Sequence, residues 1–224
     1  MLDKIVHAIN EAMANETVFT IPIFGGIPVS QSCVVTWIII AALVVISIIF
    51  TRNLKLVPGK RQLIIETCVG FLRNFFRDQI GERGMQYFPF LATMIIYIGF
   101  SNIIGLFGFI PPTKDLNVTA ALALMSIVLV EIAGIRAKGV KGWLKSFAKP
   151  VAIIAPLNVM EIAIRPLSLC MRLFGNVLAA VIIMEMLKAV IPVGVPMVFS
   201  LYFDIFVGFI QAYVFVFLTS LYID

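Results

Sequence analysis

Residues 33–50 read CVVTWIIIAALVVISIIF and contain no charged side chain. A helix of this length extends roughly 27 Å at 1.5 Å per residue. That is close to the thickness of the hydrocarbon core of a bilayer, about 30 Å. The stretch therefore predicts a first transmembrane helix.

The composition of the whole chain agrees with a protein that resides in lipid. Of its 224 residues, 61% are hydrophobic and 13% are charged, and the mean hydropathy is +1.07. A soluble domain is nearer to half apolar and about a quarter charged. Lipid cannot hydrogen-bond the backbone, so the apolar segments are expected to cross it as helices, which make their backbone hydrogen bonds internally. We therefore expect an all-α integral membrane protein, with residues 1–224 forming a single membrane domain.

Four further apolar stretches bring the predicted number of transmembrane helices to about five. They are residues 87–110, 116–135, 150–191 and 197–223. A straight helix over residues 150–191 would be about 60 Å long, roughly twice the hydrocarbon thickness. Because no hydrophilic turn divides this stretch, we expect one long, tilted helix that bends at Pro166 and Gly175. The last helix is also expected to be long and tilted.

Residues 63–80 have a pattern unlike that of the five predicted spans. Apolar side chains such as Leu72 and Phe76 recur at helical spacing, and polar ones such as Glu66 and Arg73 lie between them. This division into two faces predicts an amphipathic helix. Basic amphipathic helices with aromatic residues on the apolar side tend to lie in the membrane interface. The stretch therefore predicts a helix in the plane of the membrane.

The basic residues indicate the orientation of the chain. Seven Lys or Arg side chains lie within residues 51–83, and five lie within residues 136–149. The opposite side carries only Lys4, Lys114 and Lys188. Because basic loops remain in the cytoplasm, we expect the N-terminus outside and the C-terminus inside. The same distribution argues against nucleic acid as a partner, although the net charge is +5.

No metal and no cofactor are expected from the sequence. Cys33, Cys68 and Cys170 share no metal-binding spacing, and His7 is the single histidine. The chain also carries no phosphate-binding loop or other nucleotide motif. We therefore expect a non-catalytic protein.

A polar stripe runs along the fourth predicted span. Its members are separated by three or four residues, which places them on one face of a helix. They are Asn158, Glu161, Arg165, Ser168, Arg172 and Asn176. Glu161 and Arg165 are four residues apart, in the order that favours an ion pair. Because Glu161 can hardly neutralise two arginines, Arg172 is predicted to have no partner on its own helix.

An arginine without a partner inside a membrane helix indicates a function. Insertion scales put its cost at about 2.5–3.5 kcal/mol. Arginine does not give up its proton in proteins, so it cannot relay one, but it can attract a carboxylate that has lost its proton. In a simpler interpretation, backbone carbonyls, or Asn176 and Gln211, hold Arg172 and merely join two helices. The stripe, with Asp204 and Gln211 in the last span, favours ion translocation.

Four segments resemble motifs of subunit a, the stator channel subunit of the rotary ATP synthase membrane sector. They are RPLSLCMRLFGN at 165–176, QAYVF at 211–215, PPTKDLNVT at 111–119 and VPGKRQ at 57–62. The resemblance covers nearly all of the chain past residue 20. It implies a non-catalytic ion-translocating subunit of the F-type Fo sector in a bacterial inner membrane. The partners it implies are the c-subunit ring, the peripheral-stalk b subunits and other ATP synthase subunits.

The resemblance also implies roles for individual residues. Arg172 would face the carboxylates of the rotating c ring, and Asn176 and Gln211 would flank it along the ion path. Glu161 would match an acid that many bacterial members carry three turns before the arginine. Asp204 lies where relatives place His, Glu or another polar residue.

The chain departs from the family at Val181. Many bacterial relatives carry an acid at this position, five residues after the motif asparagine. Glu185, one turn further along, or Asp204 could take its place. Glu185 could equally pair with Lys188, three residues later.

Three residues near the ends of the predicted spans complete the candidates. Asp115 or Asn117 could begin the third helix, contact the stator or line the access to a channel. Glu131 is expected to be an interface or assembly residue rather than a channel residue.

Two functions from different classes follow from these patterns. In the first, two aqueous half-channels deliver protons or sodium ions to the ring carboxylates and remove them again. The alternative is a secondary transporter of an anionic solute that uses the stripe from Glu161 to Arg172. Such transporters commonly show internal repeats or paired broken helices, and the sequence shows neither.

Overall fold

A computed structural model describes residues 17–21, 27–52, 59–107, 109, 111–147, 155–190 and 194–223. Its strands are β1 (Thr17–Ile21) and β2 (Ile27–Ser30). Its helices are α1 (Gln31–Thr51), α2 (Lys60–Gly84), α3 (Phe88–Ile103), α4 (Leu116–Phe147), α5 (Ala155–Val190), α6 (Val195–Leu201) and α7 (Gly208–Ile223). Short 3₁₀ turns cover Met85–Tyr87, Ile104–Phe107 and Pro112–Lys114, and a π-helical segment covers Tyr202–Val207.

Five helical segments in the described residues are long and apolar enough to cross a membrane. They are Gln31–Thr51, Met85–Leu106, Leu116–Val140, Met160–Lys188 and Val198–Ile223. Each coincides with one of the stretches predicted from hydropathy. The prediction of an all-α, multi-pass membrane protein is therefore confirmed.

The fourth span is one helix rather than two crossings, as predicted. α5 contains 36 residues and includes Pro166 in its interior. At 1.5 Å per residue it is about 54 Å long, which exceeds a hydrocarbon core of about 30 Å. Such a helix has to tilt or to extend beyond the lipid.

The last span is not a uniform α-helix. The π-helical segment Tyr202–Val207 separates α6 from α7 and carries Asp204 in its first turn. A π-helical turn holds more residues than an α-helical turn and often occurs at functional sites. The angle between Asp204 and Gln211 around this helix therefore cannot be taken from α-helical spacing alone.

The basic stretch after the third span was predicted as a loop, and this prediction was wrong for its described part. α4 continues to Phe147, and Gly139 interrupts it with a φ of 71°, a left-handed conformation that favours glycine. Beyond this glycine, the Trp143 Nε1–H donates to a Glu131 carboxylate oxygen at 2.9 Å. The helix end therefore folds back on the span. Lys149 lies outside the described residues.

The contact between Trp143 and Glu131 gives a measurable prediction. Trp143→Phe is expected to lower the free energy of unfolding by about 1 kcal/mol, because it removes one hydrogen bond at a half-buried carboxylate. Thermal unfolding of the detergent-solubilised protein measures the change. Trp37→Phe is the matched control, since Trp37 is 51% exposed on α1. Equal unfolding midpoints for the two variants would contradict the assignment.

The amphipathic helix is present and longer than predicted. α2 runs from Lys60 to Gly84 and is interrupted at Gly81, where φ is 63°. Near its C-terminal end, Phe76 is fully buried and the Phe75 ring lies 5.5 Å from the ring of Tyr213 on α7. Ile64 is 66% exposed. Only the second half of the apolar face therefore packs against the bundle.

The core of the bundle is built from several helices. α4 packs along α5, and α3 packs along α7. Each of six helices contributes at least one buried side chain to one continuous cluster, namely Val35, Phe76, Ile98, Ala123, Leu173 and Val216. This cluster fixes α3, α5 and α7 relative to one another.

The helices α3 and α7 approach each other closely at Gly208. The Asn102 side-chain amide donates to the Gly208 carbonyl oxygen at 3.1 Å, and the Thr113 hydroxyl donates to the Asn102 amide oxygen at 2.9 Å. A Cβ added at Gly208 would lie 2.8 Å from the Asn102 Cβ. Small residues allow such close packing of membrane helices.

Candidate functional site

A cavity of about 420 Å³ lies between α5, the last span, and the segment that follows α3. Its lining is mostly apolar but includes several polar side chains that are distant in sequence. They are Asn102, Lys114, Asn176, Glu185, Lys188, Ser200, Asp204 and Gln211. Convergence of polar groups in one cavity is typical of a binding or transport site.

The inner end of the cavity is defined by Asn176 and Gln211. α5 and α7 are antiparallel, and the Arg165 guanidinium carbon lies 4.9 Å from the centroid of the Tyr222 ring. Asn176 follows Arg165 by eleven residues, and Gln211 precedes Tyr222 by eleven residues. Asn176 and Gln211 therefore lie at the same depth, as well as in the same cavity.

Asp204 projects into the middle of the cavity from the π-helical segment. Its carboxylate accepts a hydrogen bond from the Ser200 hydroxyl at 2.7 Å. The residue is half-buried. No ion pair is formed by Asp204 within the part of the chain that the structure describes.

Glu185 lies in the same cavity but is already paired. Lys188 donates to its carboxylate at 2.8 Å, close to the turn that leads into α6. Val181 also lines the cavity, so the departure from the family leaves an apolar surface there. Of the two acids that could substitute, Asp204 is the one that forms no ion pair within the described residues.

Arg172 lies on α5 one turn before Asn176, about 6 Å along the helix axis. It is exposed, and the adjacent side chains Leu167 and Met171 are exposed as well. Among the described residues Arg172 has no ion pair and no hydrogen bond. The interpretation in which Asn176 and Gln211 clamp this guanidinium therefore has no contact to support it.

The other described members of the polar stripe do not line the cavity. Glu161 and Arg165 form the expected ion pair, with a distance of 2.8 Å between their charged atoms. Ser168 is half-buried and does not line the cavity. The side chain of Asn158 is outside the described part of the chain. Among the stripe residues whose side chains are described, Asn176 is thus the one that lines the cavity.

Asp115 begins α4, as one of the alternatives predicted. Its carboxylate accepts a hydrogen bond from the Asn117 backbone N–H at 2.9 Å and another from the Ser30 hydroxyl at 3.3 Å. The antiparallel hairpin of β1 and β2 is thereby attached to the start of α4. Asp115 is buried and the Asn117 side chain is exposed, and neither residue lines the cavity.

Sequence reasoning missed several residues of the cavity, among them Lys114, Ser200 and Gly105. Lys114 was counted only as a loop charge, yet its side chain is buried in the cavity wall, and its place within PPTKDLNVT was the available signal. Ser200 precedes Asp204 by one helical turn, and this spacing was also a signal in the sequence. Gly105 gave no signal, because its neighbour in space is a distant part of the chain.

Known proteins resemble this chain over most of its length. A family model described as ATP synthase A chain matches residues 33–224. The protein named ATP synthase subunit a from Geotalea daltonii is 40% identical over 194 residues, 84% of each chain. That from Moorella thermoacetica is 38% identical over 200 residues, 89% of this chain and 91% of the relative.

A third relative, from Propionigenium modestum, is named ATP synthase subunit a, sodium ion specific. It is 32% identical over 215 residues, which cover 89% of this chain and 74% of the relative. The chain therefore belongs to the ATP synthase A chain family, and as a membrane subunit of an ATP synthase it has other subunits of that complex as its partners.

Proposed function

We propose that the chain is the stator ion-channel subunit of the Fo sector. Two half-channels would carry protons, or sodium ions, to and from the carboxylates of a c-subunit ring and so couple ion flow to rotation and ATP synthesis. The observation that carries the proposal is the cavity on which polar side chains converge and which ends at Asn176 and Gln211. Arg172 lies one helical turn beyond that end and has no partner in the described residues.

The cavity corresponds to the half-channel on the outer side of the membrane. Lys114 follows the second span, and Pro196, at the start of α6, follows the fourth, so both residues lie on the same side. In the orientation predicted from the basic loops, this side is outside. An ion would pass Asp204 on its way from these residues to Gln211.

The second half-channel would open at the other end of α5. Glu161 lies at that end, its side chain is 58% exposed, and Arg165 neutralises it from 2.8 Å. This region is separated from Asn176 by about four helical turns of α5, so the two half-channels do not meet. Their separation forces an ion to travel on the ring.

Arg172 would act between the two half-channels as a fixed positive charge. A neutral ring carboxyl can face lipid, whereas an ionised one pays a large desolvation cost. The guanidinium favours the ionised carboxylate as it passes, and so promotes release of its ion. The same charge opposes a direct leak. Each charge that crosses 100 mV supplies about 2.3 kcal/mol, so several are needed for each ATP.

The surface around Arg172 fits a rotor at this position. On α5, Leu167, Met171 and Ile183 are between 40% and 56% exposed, and they flank the arginine with apolar side chains. Such a face can contact hydrophobic ring helices while offering them one charge. Peripheral-stalk b subunits would hold the chain against rotation, in a bacterial inner membrane.

Purification in mild detergent tests the proposal. We expect the chain to co-purify with a ring of small hairpin subunits. Isolation as a free protein that accumulates an anionic solute in liposomes would favour the transporter alternative instead.

The two candidate acids of the cavity are predicted to differ in effect. Asp204→Asn is expected to reduce passive proton conduction through the membrane sector by about 10-fold or more, since a positioned acid or base contributes about 100-fold or more to proton transfer. Glu185→Gln is the comparison, and we expect a smaller loss because Lys188 already neutralises this acid. Conduction is measured in inverted vesicles after removal of the catalytic sector. A larger loss with Glu185→Gln would reverse the assignment.

A further inference from the structure

The Asp204 carboxylate rests against the backbone of Gly105. A Cβ built on Gly105 would lie 3.0 Å from one carboxylate oxygen of Asp204, 3.2 Å from its carboxyl carbon and 3.4 Å from the other oxygen. All three atoms of the carboxyl group therefore occupy the space next to this glycine. Gly105 belongs to the 3₁₀ turn Ile104–Phe107 and lines the same cavity.

A side chain at Gly105 would crowd the Asp204 carboxylate, whereas the backbone conformation there does not call for glycine. Gly105 is not among the glycines with positive φ. In contrast, a Cβ on Gly99, one turn and a half earlier in α3, would meet no atom within 4 Å. The two glycines thus differ in what an added Cβ would meet, which at Gly105 is the Asp204 carboxylate.

Two contacts fix the position of the carboxylate from opposite elements. The Ser200 hydroxyl donates to one oxygen at 2.7 Å from the last span, and the backbone at Gly105 limits the other side. The π-helical segment presents Asp204 toward this gap. The carboxylate is therefore held against the cavity wall, between Pro196 at the start of α6 and the inner end of the cavity at Gln211.

We propose that Gly105 is a positioning residue, which receives the Asp204 carboxylate and sets its place in the ion path. This inference rests on the proposed function and adds a residue on a different span to the candidate site. A methyl group at position 105 would displace the carboxylate by a few tenths of an ångström. Displacement into the cavity would lengthen the hydrogen bond from Ser200 and misplace the group that receives the ion.

The first test compares Gly105→Ala with Gly99→Ala in the intact ATP synthase. Misplacement of a reacting group by about 1 Å can cost on the order of 100-fold in rate. For a smaller displacement we expect Gly105→Ala to lower proton conduction of stripped inverted vesicles by about 3- to 10-fold. Gly99→Ala is expected to conduct like the wild type. Equal conduction by both variants would overturn the inference.

A double-mutant cycle separates positioning from a general packing defect. Gly105→Ala is expected to lower the thermal midpoint of the purified complex's membrane sector, and this effect should vanish when Asp204→Ala has removed the carboxyl group. Equal shifts in both backgrounds would assign Gly105 a purely structural role and overturn the inference. This measurement does not depend on residual conduction.

Arg172→Ala distinguishes failure of this inference from failure of the proposed function. If Arg172→Ala uncouples the enzyme while Gly105→Ala conducts normally, only the role of Gly105 is wrong. If Arg172→Ala vesicles retain coupled synthesis, the stator function itself is wrong, whatever Gly105→Ala does.

Discussion

Arg172→Ala is expected to abolish coupled ATP synthesis while leaving the complex assembled. The side chain is exposed, and within the described residues it contributes no hydrogen bond or ion pair that the fold would lose. Removal of a buried, paired charge would destabilise the protein, but removal of this one should not. What is lost is the fixed cation that the ring carboxylates would meet.

Growth on a non-fermentable carbon source measures this loss in a bacterial host that depends on the chain. Co-purification of the ring shows whether the complex has assembled. Arg172→Lys retains the charge but not the planar, bidentate donor set, and it is expected to restore little activity. Cys33→Ala is the control, because Cys33 lies on α1 outside the cavity. Normal growth with Arg172→Ala would refute the mechanism.

Gly208→Ala is expected to have the largest effect on stability. The added Cβ would lie 2.8 Å from the Asn102 Cβ, which is not the flexible end of a side chain. The helices α3 and α7 would have to separate, and the hydrogen bond from Asn102 to the Gly208 carbonyl at 3.1 Å would weaken. Overpacking of this kind costs about 1–3 kcal/mol. Because Asn102 and Gly208 also line the cavity, ion conduction should fall as well.

The matched control for this variant is Gly99→Ala on the facing helix α3. Gly99 is buried too, but a Cβ there would meet nothing within 4 Å. Alanine is also the better helix former by up to about 1 kcal/mol, so Gly99→Ala should be neutral or stabilising. Thermal unfolding of the two variants in the same detergent gives the comparison. If both midpoints stay at the wild-type value, the close approach of α3 and α7 is not as described.

Local patterns in the sequence determined most of the fold. The span beginning near residue 33 and the single helix over Ala155–Val190 followed from the length of apolar runs, which lipid thickness limits directly. The ion pair between Glu161 and Arg165 followed from their separation by one helical turn. In each case the residues concerned are close along the chain, so the sequence alone is enough to predict the feature.

The sequence predicts Arg172 to have no partner on its own helix, and Arg172 forms no hydrogen bond or ion pair among the described residues, where Glu161 is paired with Arg165. It also named Asn176, Asp204 and Gln211, which the structure places in one cavity. These residues carried a signal because polar groups are costly in a membrane helix. A glycine or a loop lysine carries no such signal.

Only the tertiary structure determined which groups meet around the cavity. The contact of Gly105 with Asp204, the burial of Lys114 and the phase of the π-helical segment depend on helices that are far apart in sequence. The hydrogen bond from Trp143 to Glu131 likewise depends on the left-handed conformation of one glycine, Gly139. Hydropathy fixes how many helices cross the membrane, because each apolar run responds to lipid independently. Which atoms meet between those helices is set by packing, which no single run encodes.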